Sequence, residues 1–339
     1  MSGRLKVDVV ADYGPPERTV SKILKESDFE GVRQVHRQLP LRPNGELDLD
    51  GVMQWAAEDR ADLLIVVTET PRRTGPRPKI AGIYVDEGLA IISLPALGVV
   101  NVQHKLEKVI ATTISIYRRG QLTGEHKSAL WPYRVGYGRS KSETRIFVHA
   151  PRVVPGRFLL VLGMVKMNEP IKTLPKLTSA LAAAAATSAF GIFYGSIWQM
   201  ADALPTARLA AIALTVIVLM AGWLISSNRL WNRGRRYGSI AEGAMYNAAV
   251  VVTILMSVVL LYLALFIGVL LAGLIIIEAG YLSDVLGEKA TFRHYLDIAW
   301  LAASMGTVAG ALGSNFDSDD DIKQLTHGRR EALRMEERD

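Results

Sequence analysis

Hydrophobic and polar positions divide this chain into two regimes. Up to about residue 170, short apolar runs alternate with polar segments, while beyond Leu177 the apolar runs reach membrane length. The longest, Asn247–Ile277, contains no ionised side chain. A helix crossing the hydrocarbon of a bilayer needs about 20 apolar residues, so this run predicts a span. Three more follow the same rule, at about Leu177–Met200, Leu209–Ile225 and Tyr295–Leu312. The third run is long enough to tilt, or to hold a span plus a re-entrant piece with the break near Gly268 and Gly273.

In the first half the periodicity is that of a mixed fold. Residues 5–11 read as a buried strand, and Pro15 and Pro16 open a helix to about Lys25, since proline is tolerated in a first turn. Residues 32–38 suggest a second strand, and Asp48 and Asp50 precede a helix through Val52, Trp55 and Ala56. Asp62–Thr68 is the clearest central strand. Lys79–Val85 and Leu89–Leu94 predict a hairpin turning at Asp86-Glu87-Gly88. In the helix expected over Val102–Tyr117, Leu106, Val109, Ile110, Thr113, Ile114 and Tyr117 share a face. Arg145–His149 adds a strand, and Phe158–Val165, too short to span, reads as a last strand or an interfacial helix.

The expected architecture is therefore an α/β N-terminal soluble domain with a partly parallel sheet (residues 1–157) and a membrane-proximal linker (158–176). An all-α transmembrane helical bundle of about four spans (177–313) and a charged tail (314–339) follow.

Charge sets the threading. Lys and Arg total 39 against 33 Asp and Glu, a net charge of +6. Arg229, Arg233, Arg235 and Arg236 crowd the loop between the second and third spans, and Lys172 and Lys176 precede the first. By the positive-inside rule these segments are cytoplasmic, so four spans put both termini in the cytoplasm of a multi-pass protein of the cytoplasmic membrane. Asp8 and Asp12 interrupt any apolar core of a signal peptide, which agrees. The basic stretch Arg118–Arg157 points to anionic lipid headgroups rather than nucleic acid. The expected partners are thus the lipid bilayer, anionic headgroups, and a second copy or another protein. The chain has no cysteine, which excludes disulfides, thiolate zinc sites, iron–sulfur clusters and cysteine nucleophiles.

Ligands of open α/β sheets bind at the carboxyl ends of the strands. Those ends supply Asp12 after the first strand, and Glu69, Arg72 and Arg73 after the third. A carboxylate beside two guanidinium groups suits a phosphate or an acidic ligand, which makes these the best site candidates, although the residues alone favour a solvated loop with ordinary turn chemistry. His294 and Asp297, three apart at the start of the fourth span, suit a proton relay or an ion path, though their position near the interface favours snorkelling or capping. Gly191 and Gly195, and Gly306 and Gly310, are small-residue pairs that let helices approach closely. Asp317–Asp321 opens like a calcium loop, but Ile322 stands where glycine is required and Gly328 where glutamate is. No catalytic constellation, metal site or cofactor is expected.

The order of strand, hairpin and helix ending in Ile91-Ile92-Ser93-Leu94 resembles the archaemetzincins. Their metal-binding motif, His-Glu-x-x-His, is absent from the helix, which reads Lys108-Val-Ile-Ala-Thr-Thr113. Tyr137-Gly-Arg-Ser-Lys141 resembles the catalytic pair of methylene-tetrahydrofolate dehydrogenases, which implies a folate enzyme. A dinucleotide turn is incomplete at Gly136-Tyr-Gly138, which lacks the third glycine. The plan as a whole, on Val9–Gly14, Leu64–Thr68 and Trp300–Ser314, resembles bacterial membrane proteins with a cytoplasmic α/β domain ahead of several spans, and implies no activity. The expectation is a non-enzymatic sensor, regulatory or scaffold protein. A small transporter or channel subunit, and a membrane-anchored enzyme binding nucleotide or folate, are the alternatives.

Overall fold

The computed structural model describes residues 5–27, 29–40, 42, 47–58, 61–74, 77–120, 134–140, 143–150, 156–173, 178–228, 230–231 and 240–314. The chain divides into two compact units.

The first unit is an α/β fold. Strand β1 (Val7–Ala11) is buried along its whole length. Gly14, at φ 98°, turns the chain in a backbone region closed to side chains with a Cβ, and helix α1 (Pro15–Glu26) starts directly after it. Strand β2 (Val32–Gln34), helix α2 (Leu49–Glu58), strand β3 (Leu63–Thr68) and the short β4 (Arg73–Thr74) follow. Strands β5 (Arg77–Tyr84) and β6 (Leu89–Ser93) form the expected hairpin. A 3₁₀ turn (Leu94–Leu97) leads to helix α3 (Val102–Gly120), then to strands β7 (Arg134–Ser140) and β8 (Glu143–His149) and helix α4 (Gly156–Asn168).

The sheet runs β2-β1-β3-β6-β5-β8-β7, with β4 beside β5. Strands β2, β1, β3 and β6 are parallel; β5, β8 and β7 pair antiparallel. Side chains of Val20 and Ile23 on α1 and of Leu106, Val109 and Ile110 on α3 are buried on one face. On the other, Val52, Leu39 and Leu47 pack against Val10, Leu64, Val66, Tyr84, Leu89 and Ile91. Strand β7 runs through Gly136-Tyr-Gly138, a stretch that reads as a basic loop in the sequence, because β8 recruits it as an antiparallel partner. The Phe158–Val165 stretch lies in α4, which packs on the 3₁₀ turn: a Cβ on Gly163 would run into the backbone of Pro95.

The second unit is helical. After α5 (Pro170–Thr173) come α6 (Thr178–Phe193), α7 (Gly195–Ala203), α8 (Thr206–Ser227), α9 (Ile240–Ile276), α10 (Ala279–Leu286) and α11 (Phe292–Gly313). Three segments are long and apolar enough to cross a membrane: Thr206–Ser227, Gly243–Ile276 and Phe292–Gly313. The Leu177–Met200 run, expected as one span, is instead a bent pair. Ser179–Phe193 and Gly195–Ala203 meet at 87°, and counting them as one span brings the total to four. The bend frees the Gly191 carbonyl, and the Trp198 indole N–H donates to it at 2.9 Å. The Asn247–Ile277 run is a continuous helix past Gly268 and Gly273, with no re-entrant break.

Candidate functional site

The carboxyl ends of β1, β3 and β6 carry a row of buried polar groups: Asp12, Thr68 and Ser93. The Asp12 carboxylate accepts from Thr68 Oγ1 at 2.7 Å and from the Glu69 amide at 2.9 Å. The Thr70 amide donates to Thr68 Oγ1, and Ser93 Oγ donates to the Thr70 carbonyl at 2.8 Å. The Arg72 amide in turn donates to Ser93 Oγ at 3.3 Å. This chain of bonds shapes the β3–β4 connection so that the Arg72 side chain turns across the sheet. Its Nη2 donates to Tyr84 Oη at 3.3 Å, while Nη1 is buried without a hydrogen-bond partner among the described residues.

Two more cations meet Arg72 there. Cross-strand register puts Tyr84 opposite Arg145, Gly82 opposite Phe147 and Lys79 opposite His149. A bulge between Lys79 and Ala81 brings Lys79 to the same face as Gly82 and Tyr84. The point where a β-carbon on Gly82 would sit lies 3.7 Å from both Arg72 Nη1 and Lys79 Cε. Lys79 Nζ stands 3.6 Å above the Phe147 ring, and the Arg145 guanidinium lies 5.6 Å from the Tyr84 ring centroid. Burial, then the charges of Arg72 and Arg145, lower the Lys79 pKa to about 8. His149 is lowered too, by burial and then by Lys79 and Arg77.

Of the residues the sequence singles out, Asp12, Glu69 and Arg72 lie in one network, with Asp12 holding the loop that carries the other two. Arg73 lies in β4, paired with Pro78 of β5. Lys79, Arg145 and His149 carry no local signal; only the β5–β8 pairing unites them with Arg72. Tyr137 lies in β7, and Lys141 and the Asp317–Asp321 segment fall outside the described residues. On α3, His104 lies 3.6 Å from Glu107.

His294 and Asp297 occupy one end of the helical unit, both buried. His294 Nδ1 accepts the Thr291 amide hydrogen at 3.0 Å, so Nε2 holds the ring proton. That Nε2 points at Glu288 Oε1, 2.9 Å away, and at Asp202 Oδ1, 3.6 Å away. Ligand atoms of Asp202, Glu288 and His294 lie within 4.8 Å of one another, a spacing suited to a metal. The tautomer opposes one: both ring nitrogens are already committed to hydrogen bonds. Asp297 instead pairs with Arg293 at 3.5 Å.

The glycines lie at helix contacts. A Cβ on Gly191 would collide with Ala302, and one on Gly306 with Ser188 Oγ and, at 2.5 Å, the Ala184 carbonyl. One on Gly310 would sit 3.1 Å from the Ala180 carbonyl. These three positions press α6 and α11 together, joined by Gly313 against Ala183, a contact that follows no GxxxG spacing. Gly195 faces Val285 of α10 instead.

Fold and site together describe a membrane protein with an α/β domain and a helical membrane part. No family model matches the chain, and comparison with curated proteins and with solved structures finds no match.

Proposed function

We propose that this is a non-enzymatic integral membrane protein whose cytoplasmic α/β domain binds a ligand or a protein partner. Its helices anchor the domain, oligomerise or transmit its bound state, in the manner of a sensor, regulator or scaffold. The observation that carries this reading is the strand-end network, which spends Asp12, Thr68 and Ser93 on positioning Arg72 and leaves Arg72 Nη1 without an acceptor. A held cation with an unmet donor is the chemistry of recognition. The test is the thermal stability of the full chain against nucleotides, NAD(P), folates, divalent metals and anionic headgroups. A ligand at about 100 times its Kd stabilises the fold by about 2.7 kcal/mol. A shift lost in Arg72→Ala or Glu69→Ala supports the reading; a folded protein that no ligand or co-purifying partner stabilises sinks it.

A transporter or channel subunit is the second reading, favoured by the burial of His294 and Asp297 beside Asp202 and Glu288. Flux into reconstituted vesicles that survives Asp297→Asn removes that residue's role.

A further inference from the structure

We infer that the face formed by Arg72, Lys79 and Arg145 binds a doubly charged phosphate group. This rests on the ligand-binding reading above and names the chemistry of its ligand. Three separate elements deliver the cations: the β3–β4 connection, β5 and β8. Arg72 and Arg145 both act on Lys79 as like charges. Lys79 has no ion pair among the described residues and rests on the Phe147 ring. Arg72 Nη1 is buried with its hydrogen unmet, although the other arm of the fork is anchored on Tyr84. A phosphate oxygen meets such a fork in geometry as well as charge, and lysine adds a compact point charge. Arg72 and Lys79 reach this face from the edge where β3 and β6 end, the ligand edge of open α/β sheets, while Arg145, opposite Tyr84 and so level with the start of β6, meets them across the sheet.

The charges facing Lys79 come from Arg72 on the connection and Arg145 on β8; those facing His149 come from Lys79 and Arg77 on β5. A dianion seated among them opposes this repulsion and raises the Lys79 pKa. Free Lys79 is partly deprotonated near pH 8, so binding there takes up a proton.

The phosphate belongs either to a soluble monoester or to a lipid headgroup. The full chain is placed in phosphatidylcholine nanodiscs and its thermal unfolding followed with inorganic phosphate, chloride at matched ionic strength serving as the control. A second set of nanodiscs contains phosphatidic acid. Stabilisation by several degrees is expected in one arm or both, and the arm that responds identifies the source. Arg72→Gln and Lys79→Met each weaken the response about tenfold. Proton uptake at pH 8, read from the buffer dependence of the binding heat, disappears in Lys79→Met. That variant loses a repelled cation and should melt no lower than the parent, so it decides the matter even if Arg72→Gln fails to fold. No response in either arm, or a response that survives Lys79→Met with its proton uptake intact, overturns the assignment. Stabilisation by a ligand without phosphate, indifferent to both substitutions, overturns it while leaving the broader ligand-binding reading in place.

Discussion

Helices α9 and α11 are both apolar and both long enough to cross a bilayer, yet they are buried in opposite measure. The α9 window, the more apolar of the two, is 28% buried; that of α11 is 61% buried. In the α/β unit the relation runs the usual way: the most apolar strand, β3, is buried at every position. Lipid tails remove the penalty for exposing leucine, so apolar character no longer marks the interior. What marks it on α11 is small and polar residues: Ala302, Ala303, Ser304, Gly306, Thr307 and Gly310 are buried. On α9, Met256, Val259, Leu263, Ile267, Leu271 and Leu274 recur every three or four residues and are exposed. That stripe is apolar surface of the kind that lipid or a second copy of the chain would cover.

The largest expected effect lies on α11. Gly306→Ala puts a methyl group 2.5 Å from the Ala184 carbonyl, a backbone atom that cannot step aside cheaply. It should cost about 1–3 kcal/mol, and Gly306→Leu should abolish the native helix pairing. Unfolding of the purified protein in a detergent series measures this, and an unchanged midpoint would show that α6 is not pressed on α11.

The α/β unit offers a contrasting test. Lys79 titrates near 8 when folded and near its ordinary 10.5 when unfolded. Between those values the unfolded chain holds more protons, so stability rises with pH across that window. Below pH 8 both states are protonated and the penalty stands in full. A melting series from pH 7.5 to about 10 in phosphate-free buffer should show this slope, and Lys79→Met should flatten it.

A smaller effect is expected where the membrane interior is polar. Tyr262 Oη meets Ser304 Oγ at 3.0 Å and donates to the Trp300 carbonyl at 3.1 Å, tying α9 to α11. Tyr262→Phe should cost about 0.6 kcal/mol in the same detergent assay. Smallest of all, Leu263→Ala or Leu271→Ala on the exposed stripe should change stability by less than about 0.5 kcal/mol. A larger loss, accompanied by a change in oligomeric state, would show that a second copy covers the stripe.

The parts legible in the sequence are those where one local signal decides. Strand β3 is an apolar run closed by Thr68, β1 is apolar apart from Asp8, the β5–β6 hairpin is flagged by Asp86-Glu87-Gly88, and α3 repeats with helical period. Helix α9 needed only its length. Two features left no such mark. The 87° bend falls inside a run of near-uniform hydropathy, and its stabilising partner, Trp198, looks like any interfacial tryptophan. The cationic face joins residues as distant as Arg72 and Arg145 through the β5–β8 register and a bulge, neither of which is written in the local pattern. Arg72 was visible as a loop cation, whereas Lys79 lay inside an ordinary strand.

The unequal lengths of the membrane helices have a mechanical corollary. At about 1.5 Å per residue, α6 is about 24 Å long, α8 and α11 about 33 Å, and the Gly243–Ile276 segment about 51 Å. Hydrocarbon about 30 Å thick cannot match all of them at once. Thickening the bilayer lets α9 stand more upright but leaves α6 short. The contact between α6 and α11, built from glycine and alanine, is then where acyl-chain length is felt as strain.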